Sequence, residues 1–234
     1  MSELSVEIEV EEFPLEYPGV VPVMMDMEEG QLYFEIYEGL EKDIEVFIEE
    51  YRGRYFSIEA FEFLCNAVDS YLEDKSYLRD QYGRTRFYRK FILTNPKEVN
   101  KEFIKENSVM MSEELKKLPN MTSLFADDTG EIPPLSFVTV QEGRIVSVAT
   151  VNDTSSDTVR EITVNTAPKY RGRGFGASNT AALSKYLTEK GYTVAYCVSN
   201  YNKQSVRIAK KCGFEEVGKF YAVSAYRTNS KEEN

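Results

Sequence analysis

The order of elements between Val159 and Phe214 restricts the fold of this chain more than any other feature. A strand-like run, Val159 to Thr166, leads through Pro168-Lys169-Tyr170 into Arg171-Gly172-Arg173-Gly174-Phe175-Gly176. Three glycines alternate with side chains there, two of them arginine, just where a helical pattern begins. Glycine supplies left-handed backbone and, lacking Cβ, lets bare N–H groups face a ligand. At a helix N-terminus that ligand is an anion, most simply a phosphate. Phe175, Ala182, Leu183, Tyr186 and Leu187 then recur at helical spacing, and Gly191 sits where a helix ends on glycine. Tyr192 to Val198 is a strand, and Lys203 to Cys212 is a short helix with Asn202 as its N-cap. Strands alternating with helices in this way place the segment in the α/β class.

The remainder is less regular. Residues 1–30 are acidic and loop-like, with prolines at 14, 18 and 22. Gln31 to Tyr37 alternates as a strand does, and Glu41 to Tyr51 has helical spacing. Ser57 caps a second helix running to about Leu72. Together these form a small α+β domain over 1–84. From 85 to 230 the pattern predicts a strand at Arg86 to Leu93, a helix from Pro96 to about Asn107, and a shorter helix from Ser112 to Leu118. A loop at Asp127 to Pro134 precedes a hairpin, Leu135 to Val140 and Arg144 to Val151, joined by Glu142-Gly143. A polar turn covers Asn152 to Asp157, a last strand covers Phe220 to Tyr226, and the tail from Thr228 is polar. Tyr51-Arg52-Gly53-Arg54-Tyr55-Phe56 echoes the glycine loop, but Tyr55 and Ser57 replace its key glycines.

Composition removes several functional classes. There is no histidine, so Ser-His-Asp and Cys-His machinery is excluded, and proton transfer falls to carboxylates, Tyr, Cys, Lys or water. Cys65, Cys197 and Cys212 are odd in number and far apart, which argues against a disulfide framework or a metal site and for a reducing cytoplasm. No apolar run spans a membrane, and Met1-Ser2-Glu3-Leu4 does not open a signal peptide. The net charge of −11 is divided unevenly. Residues 1–84 hold 22 acidic and 6 basic side chains, a charge of −16, which leaves +5 for 85–234. So acidic a protein is a poor partner for nucleic acid, whereas its basic C-terminal part suits a small polyphosphate.

Two familiar phosphate loops do not fit. A Walker A loop needs Gly-Lys-Ser/Thr after four residues, and that is absent. Gly172, Gly174 and Ala177 satisfy a dinucleotide fingerprint, but no acidic residue follows on Tyr192 to Asn200 to take the ribose. The pattern Arg171-Gly172-Arg173-Gly174-Phe175-Gly176, with Asn202, Ser205 and Lys211-Cys212-Gly213-Phe214 after it, resembles the acyl-CoA motif of the GNAT superfamily of N-acetyltransferases. The resemblance covers 135–227 and extends back to 85. It implies a mixed, splayed central sheet flanked by helices, with acetyl-CoA as co-substrate and no metal. By the resemblance, Val164, Asn165 and Thr166 offer backbone to the pantetheine arm. Arg171, Gly172, Arg173, Gly174, Phe175, Gly176 and Ala177 hold the pyrophosphate, and Asn202 and Ser205 face the thioester end.

The implied reaction is attack of a primary amine, of a small molecule or a peptide, on the acetyl thioester. A free alkylamine has a pKa of about 10 and must lose a proton first. Glu161 stands where relatives carry a base. Relatives place a proton-donating Tyr four residues before the Gly of Gly-Phe, where this chain has Ala209, leaving Ser205 and Tyr221 as substitutes. A non-catalytic acyl-CoA-binding regulatory module is the alternative. The chain is expected to be a monomer or a homodimer.

Overall fold

The computed structural model describes residues 5–14, 17–28, 30–80, 87–122, 133, 135–152 and 157–228. Arg86, nearly all of the Asp127–Pro134 loop, 153–156 of the following turn and the tail from 229 lie outside the described residues. The chain divides into two compact bodies: 1–89 with 199–201 and 218–234, and 90–198 with 202–217. The sequence suggested a single boundary near 84. The compact bodies divide the chain after 89, on either side of 199–201 and after 217.

In the first body the sheet runs β1 (Ser5–Glu11), β3 (Gln31–Tyr37), β2 (Gly19–Glu28) and the Gly218 end of β11 (Glu215–Arg227). The short β4 (Tyr77–Arg79) also pairs with β11. β1 runs parallel to β3, and the other pairings are antiparallel. Helices α1 (Glu41–Glu50) and α2 (Ile58–Leu72) complete this body. The expected loop over 1–30 is thus corrected to two strands. Val6, Ile8 and Val10 alternate with Glu7, Glu9 and Glu11, a period-2 pattern hidden by its acid content. Pro22 was the other obstacle. The β2–β3 ladder begins only at Val23, and the β2–β11 register breaks between Val223 and Ala225, so the proline falls where no ladder needs its N–H. Ser57 caps α2 as expected, its hydroxyl accepting from the Ala60 N–H at 3.1 Å. The core gathers Phe34, Phe47, Leu64 and Val68, with Tyr221 stacked 5.0 Å from both Phe56 and Phe61.

In the second body the strand order is β5 (Tyr88–Leu93), β10 (Thr193–Ser199), β9 (Val159–Thr166), β8 (Arg144–Val151), β7 (Ser136–Gln141), β6 (Ser108–Met110). β9 and β10 are parallel, while β6 to β9 form an antiparallel meander. Glu142 and Gly143 turn the β7–β8 hairpin with φ of 52° and 71°, the signature of a type I′ turn. The helix expected from Pro96 to Asn107 does not form, and a single 3₁₀ turn at Lys101–Phe103 replaces it. Asn95 and Asn100 take the N–H groups of Lys97 and Glu102 on their own side chains, which competes with helix. Ser112 to Leu118 shortens likewise to a 3₁₀ turn at Leu115–Lys117.

Helices α3 (Phe175–Glu189) and α4 (Lys203–Cys212) pack with this sheet. α3 is buried through most of its length, including Ser178, Asn179, Thr180, Ser184 and Thr188. The Asn179 amide donates to the Ser147 carbonyl and accepts from Thr139 Oγ1, each at 3.1 Å. The Lys105 N–H donates to Ser178 Oγ at 2.8 Å. These bonds fix the rotation of α3, and with it the direction in which its N-terminus points.

Candidate functional site

The site begins where two parallel strands part. β9 and β10 pair at only three positions, Val159–Glu161 against Thr193–Ala195, although both strands continue further. β9 remains paired with β8 as far as Thr166 opposite Ser147. A cavity of about 450 Å³ lies beyond the point of separation. One wall is Val164, Asn165 and Thr166, and the opposite wall is Asn202, Gln204, Ser205, Arg207, Ile208 and Lys211 of the α4 segment. Tyr170, Arg171, Gly172 and Gly174 through Ala177 close the end.

Local chemistry explains that end. Gly172 and Gly174 have φ of 77° and 84°, a region that costs a residue bearing Cβ. Gly174 is the N-cap of α3, so no capping side chain takes the N–H groups of the first turn, and no acidic residue lies in that turn. Those N–H groups and the positive end of a 15-residue helix are left for an anion. Gly176 answers a different need: an added Cβ would lie 3.2 Å from Thr166 Oγ1 and 3.4 Å from Ile208 Cδ1. It lets α3, β9 and α4 converge at the cavity. The Arg171 guanidinium reaches back to donate from Nε to the Thr166 carbonyl at 3.0 Å. Lys105 Nζ donates to the Arg173 carbonyl at 2.7 Å and lies 5.4 Å from the Phe175 ring. On α4 the Asn202 side chain accepts from the Ser205 N–H at 3.1 Å, the expected cap.

Of the residues singled out from the sequence, Val164, Asn165, Thr166, Arg171, Gly172, Gly174, Phe175, Gly176, Ala177, Asn202 and Ser205 all border this cavity. The Phe175 side chain is buried with Val146, Ala167 and Tyr170, so its contribution is its backbone. Arg173 is exposed, its guanidinium 5.2 Å from the Tyr170 ring. Glu161 stands at the last position where β9 pairs with β10, on the opposite face of that strand from Val164 and Thr166. Its carboxylate accepts from Asn152 Nδ2 at 3.1 Å. Tyr221 belongs to the first body, is 1% exposed, and donates its O–H to the Ser57 carbonyl at 3.2 Å. Burial holds that phenol far above its usual pKa. Ala209 lies on the core face of α4 with Val206 and Cys212, not on the cavity wall.

The cavity also uses Gln204, Arg207 and Ile208, which the sequence did not single out, and Lys211, which it marked only as part of the Gly-Phe exit. Helical spacing could have found two of them, since Ile208 and Lys211 follow Ser205 at successive steps of three. Arg171, Arg207 and Lys211 together make the cavity strongly basic. Among the described residues, no three His, Cys, Asp or Glu side chains come together to hold a metal ion, and no helix is long and apolar enough to cross a membrane.

Residues 86–223, more than half of the chain, match the family model described as GNAT acetyltransferase. No curated protein matches the chain. The fold is shared with a solved structure from Novosphingobium aromaticivorans, described as an acetyltransferase of the GNAT family: TM-score 0.50, 17% identity, 66% of this chain and 69% of that one. A GCN5-related N-acetyltransferase-like protein from Streptococcus suis aligns with a TM-score of 0.43 at 20% identity, over 72% of this chain and 68% of that one. An acetyltransferase from Salmonella typhimurium, solved with its cofactor acetyl-CoA, aligns with a TM-score of 0.33 at 16% identity, over 42% of this chain and 66% of that one.

Proposed function

We propose that this chain, which belongs to the GNAT acetyltransferase family, moves an acetyl group from acetyl-CoA to a primary amine of a small molecule or peptide. One observation carries the proposal. An uncapped helix N-terminus, flanked by arginine and lysine, opens into the gap where β9 leaves β10. Coenzyme A is the ligand class that needs both features at once, an anion cradle for its pyrophosphate and a strand edge for its amide-bearing arm.

The residues present fit that group. The first-turn N–H groups of α3, with Arg171, Arg207 and Lys211, would hold the phosphates, and Val164 to Thr166 would hold the arm. The bound thioester supplies an electrophilic carbonyl carbon. Glu161 would take the proton that the amine loses, acting through water because its carboxylate lies on the other face of β9. Asn202 and Ser205 would border the acyl end. The departing thiolate, with a solution pKa of ~8.5, leaves without a strong acid. That is consistent with an alanine at 209 and with Tyr221 committed to Ser57.

The alternative, a module that binds acyl-CoA without turnover, draws on the Asn152–Glu161 bond, which already satisfies one oxygen of the proposed base. A thiol-release assay with acetyl-CoA and an amine panel separates the two. Turnover that Glu161→Gln lowers by at least tenfold supports the enzyme. Tight coenzyme A binding with no turnover on any amine supports the module.

A further inference from the structure

β1 ends the sheet of the first body, and among the described residues no strand pairs with its outer side. The Glu11 carbonyl accepts from the Glu38 N–H at 2.9 Å, so Glu7, Glu9 and Glu11 turn their backbone groups toward β3. Val6, Ile8 and Val10 therefore turn theirs outward, a row of donors and acceptors ready for another strand. The side chains divide in the same way. Val6, Ile8 and Val10 stand opposite the buried Leu32, Phe34 and Ile36, yet are 37%, 37% and 43% exposed. They carry the apolar face of the sheet one strand beyond its cover. The other face of β1 is acidic. Glu7, Glu9 and Glu11 line it, with Glu9 directly opposite Glu35 and accepting from the Tyr33 hydroxyl. Like charges directly opposite one another destabilise a sheet. Burial, and then the carboxylates of Glu9, Glu11 and Asp26, push the Glu35 carboxyl above its usual range.

Such an edge selects its occupant by charge. A second copy pairing β1 to β1 about a two-fold axis would bring glutamates face to face, which costs free energy. A strand with lysine or arginine at alternate positions would instead neutralise them. Where β1 ends, a cavity of about 480 Å³ is lined by Glu11, Glu12 and Glu35 together with Tyr17, Tyr37 and Tyr226. Carboxylates beside aromatic residues suit a cationic side chain. We propose that the free edge of β1 docks an extended, basic segment of a partner protein. The segment adds to β1 as a strand. Its backbone pairs with Val6, Ile8 and Val10, its apolar side chains cover theirs, and its lysines or arginines lie along Glu7, Glu9 and Glu11. The charge of −16 over residues 1–84 draws such a segment in. The docking requires no acyl transfer and is measured without coenzyme A.

A peptide of alternating lysine and valine, followed by fluorescence anisotropy, is titrated with the full chain. The controls are a peptide of the same composition with its lysines in one block, an alternating glutamate–valine peptide, and spermine. The alternating basic peptide is expected to bind about tenfold more tightly than any of these. On binding, the Val6, Ile8 and Val10 amides slow in hydrogen exchange. Ile8→Pro removes one outward N–H and spares the ladder with β3. Glu7→Lys combined with Glu11→Lys reverses two charges and leaves the Glu9–Tyr33 bond in place. Each change weakens peptide binding by about tenfold with an unchanged melting temperature. An alternating peptide that fails to bind overturns the proposal. So does equal affinity for the blocked peptide or for spermine, which leaves only a general attraction for cations. Exchange that does not slow at Val6, Ile8 and Val10 overturns it too, as do dimers in sedimentation that Ile8→Pro abolishes, which give the edge to a second copy.

Discussion

Single atoms decide what the glycines of the second body can tolerate. Gly213 ends α4 with φ of 98°, and an added Cβ would lie 2.1 Å from the Glu98 carbonyl oxygen. Backbone strain and a clash with backbone act together, so Gly213→Ala should cost on the order of 3 kcal/mol or more, read from urea unfolding. Gly176 differs. Its neighbours are the side chains of Thr166, Ile208 and Val164, at 3.2, 3.4 and 3.6 Å from an added Cβ. They can give by a few tenths of an ångström, so Gly176→Ala should cost only about 1 kcal/mol of stability while narrowing the cavity. Coenzyme A affinity, measured by calorimetry, should fall more than stability does. Equal losses would mean that Gly176 serves packing alone.

At the scale of elements, α4 joins two duties. Val206, Ala209 and Cys212 face the core, while Gln204, Arg207, Ile208 and Lys211 face the cavity. Its geometry depends on the Asn202 cap, so Asn202→Ala should destabilise by about 1 kcal/mol. Asn202→Asp, which keeps an acceptor, should recover that stability but weaken coenzyme A binding through its charge. A thermal melt with and without coenzyme A reads both. The first turn of α3, with Arg171, Arg207 and Lys211 around it, predicts a steep salt dependence of that binding. Affinity that does not change between ~50 and ~300 mM salt would place the phosphates elsewhere.

Across the molecule, burial sets the response to alkali. Cys65 is pushed up to about 11, and Cys212 and Tyr196 to about 12, each chiefly by burial. Their folded pKa values are raised, so the unfolded chain loses these protons first. The stability they contribute is complete below about pH 9 and declines as pH rises toward 12, visible as a falling urea midpoint across that window. The charge division, −16 over 1–84 against +5 in the rest, predicts that a cationic acceptor is drawn in electrostatically. The kcat/KM for such an amine should fall with added salt, and a flat profile would reduce the acidic region to a solubilising surface.

The local pattern was sufficient wherever a rule acts over a few residues. Alternating glycines, an Asn cap, a Gly-Phe exit and a Glu-Gly hairpin each set the backbone over a few residues, so the α3, α4 and β7–β8 segments were legible in sequence. It failed where a competitor was local and polar, as with Asn95 and Asn100 in place of the Pro96 helix. It failed also where a pairing partner was distant, as with the acidic β1, ordered by its register with β3. By itself the sequence determined the family, and it marked the glycine loop, the Val164–Thr166 edge and the Asn202 cap, because these lie within one 50-residue stretch of periodic pattern. Only the tertiary structure decided that β9 and β10 part after three residues, that Tyr221 is committed to Ser57, and that the Tyr196 hydroxyl is buried without a hydrogen-bond partner. Those facts depend on which side chains burial brings together, and periodicity carries no information about a partner on another element.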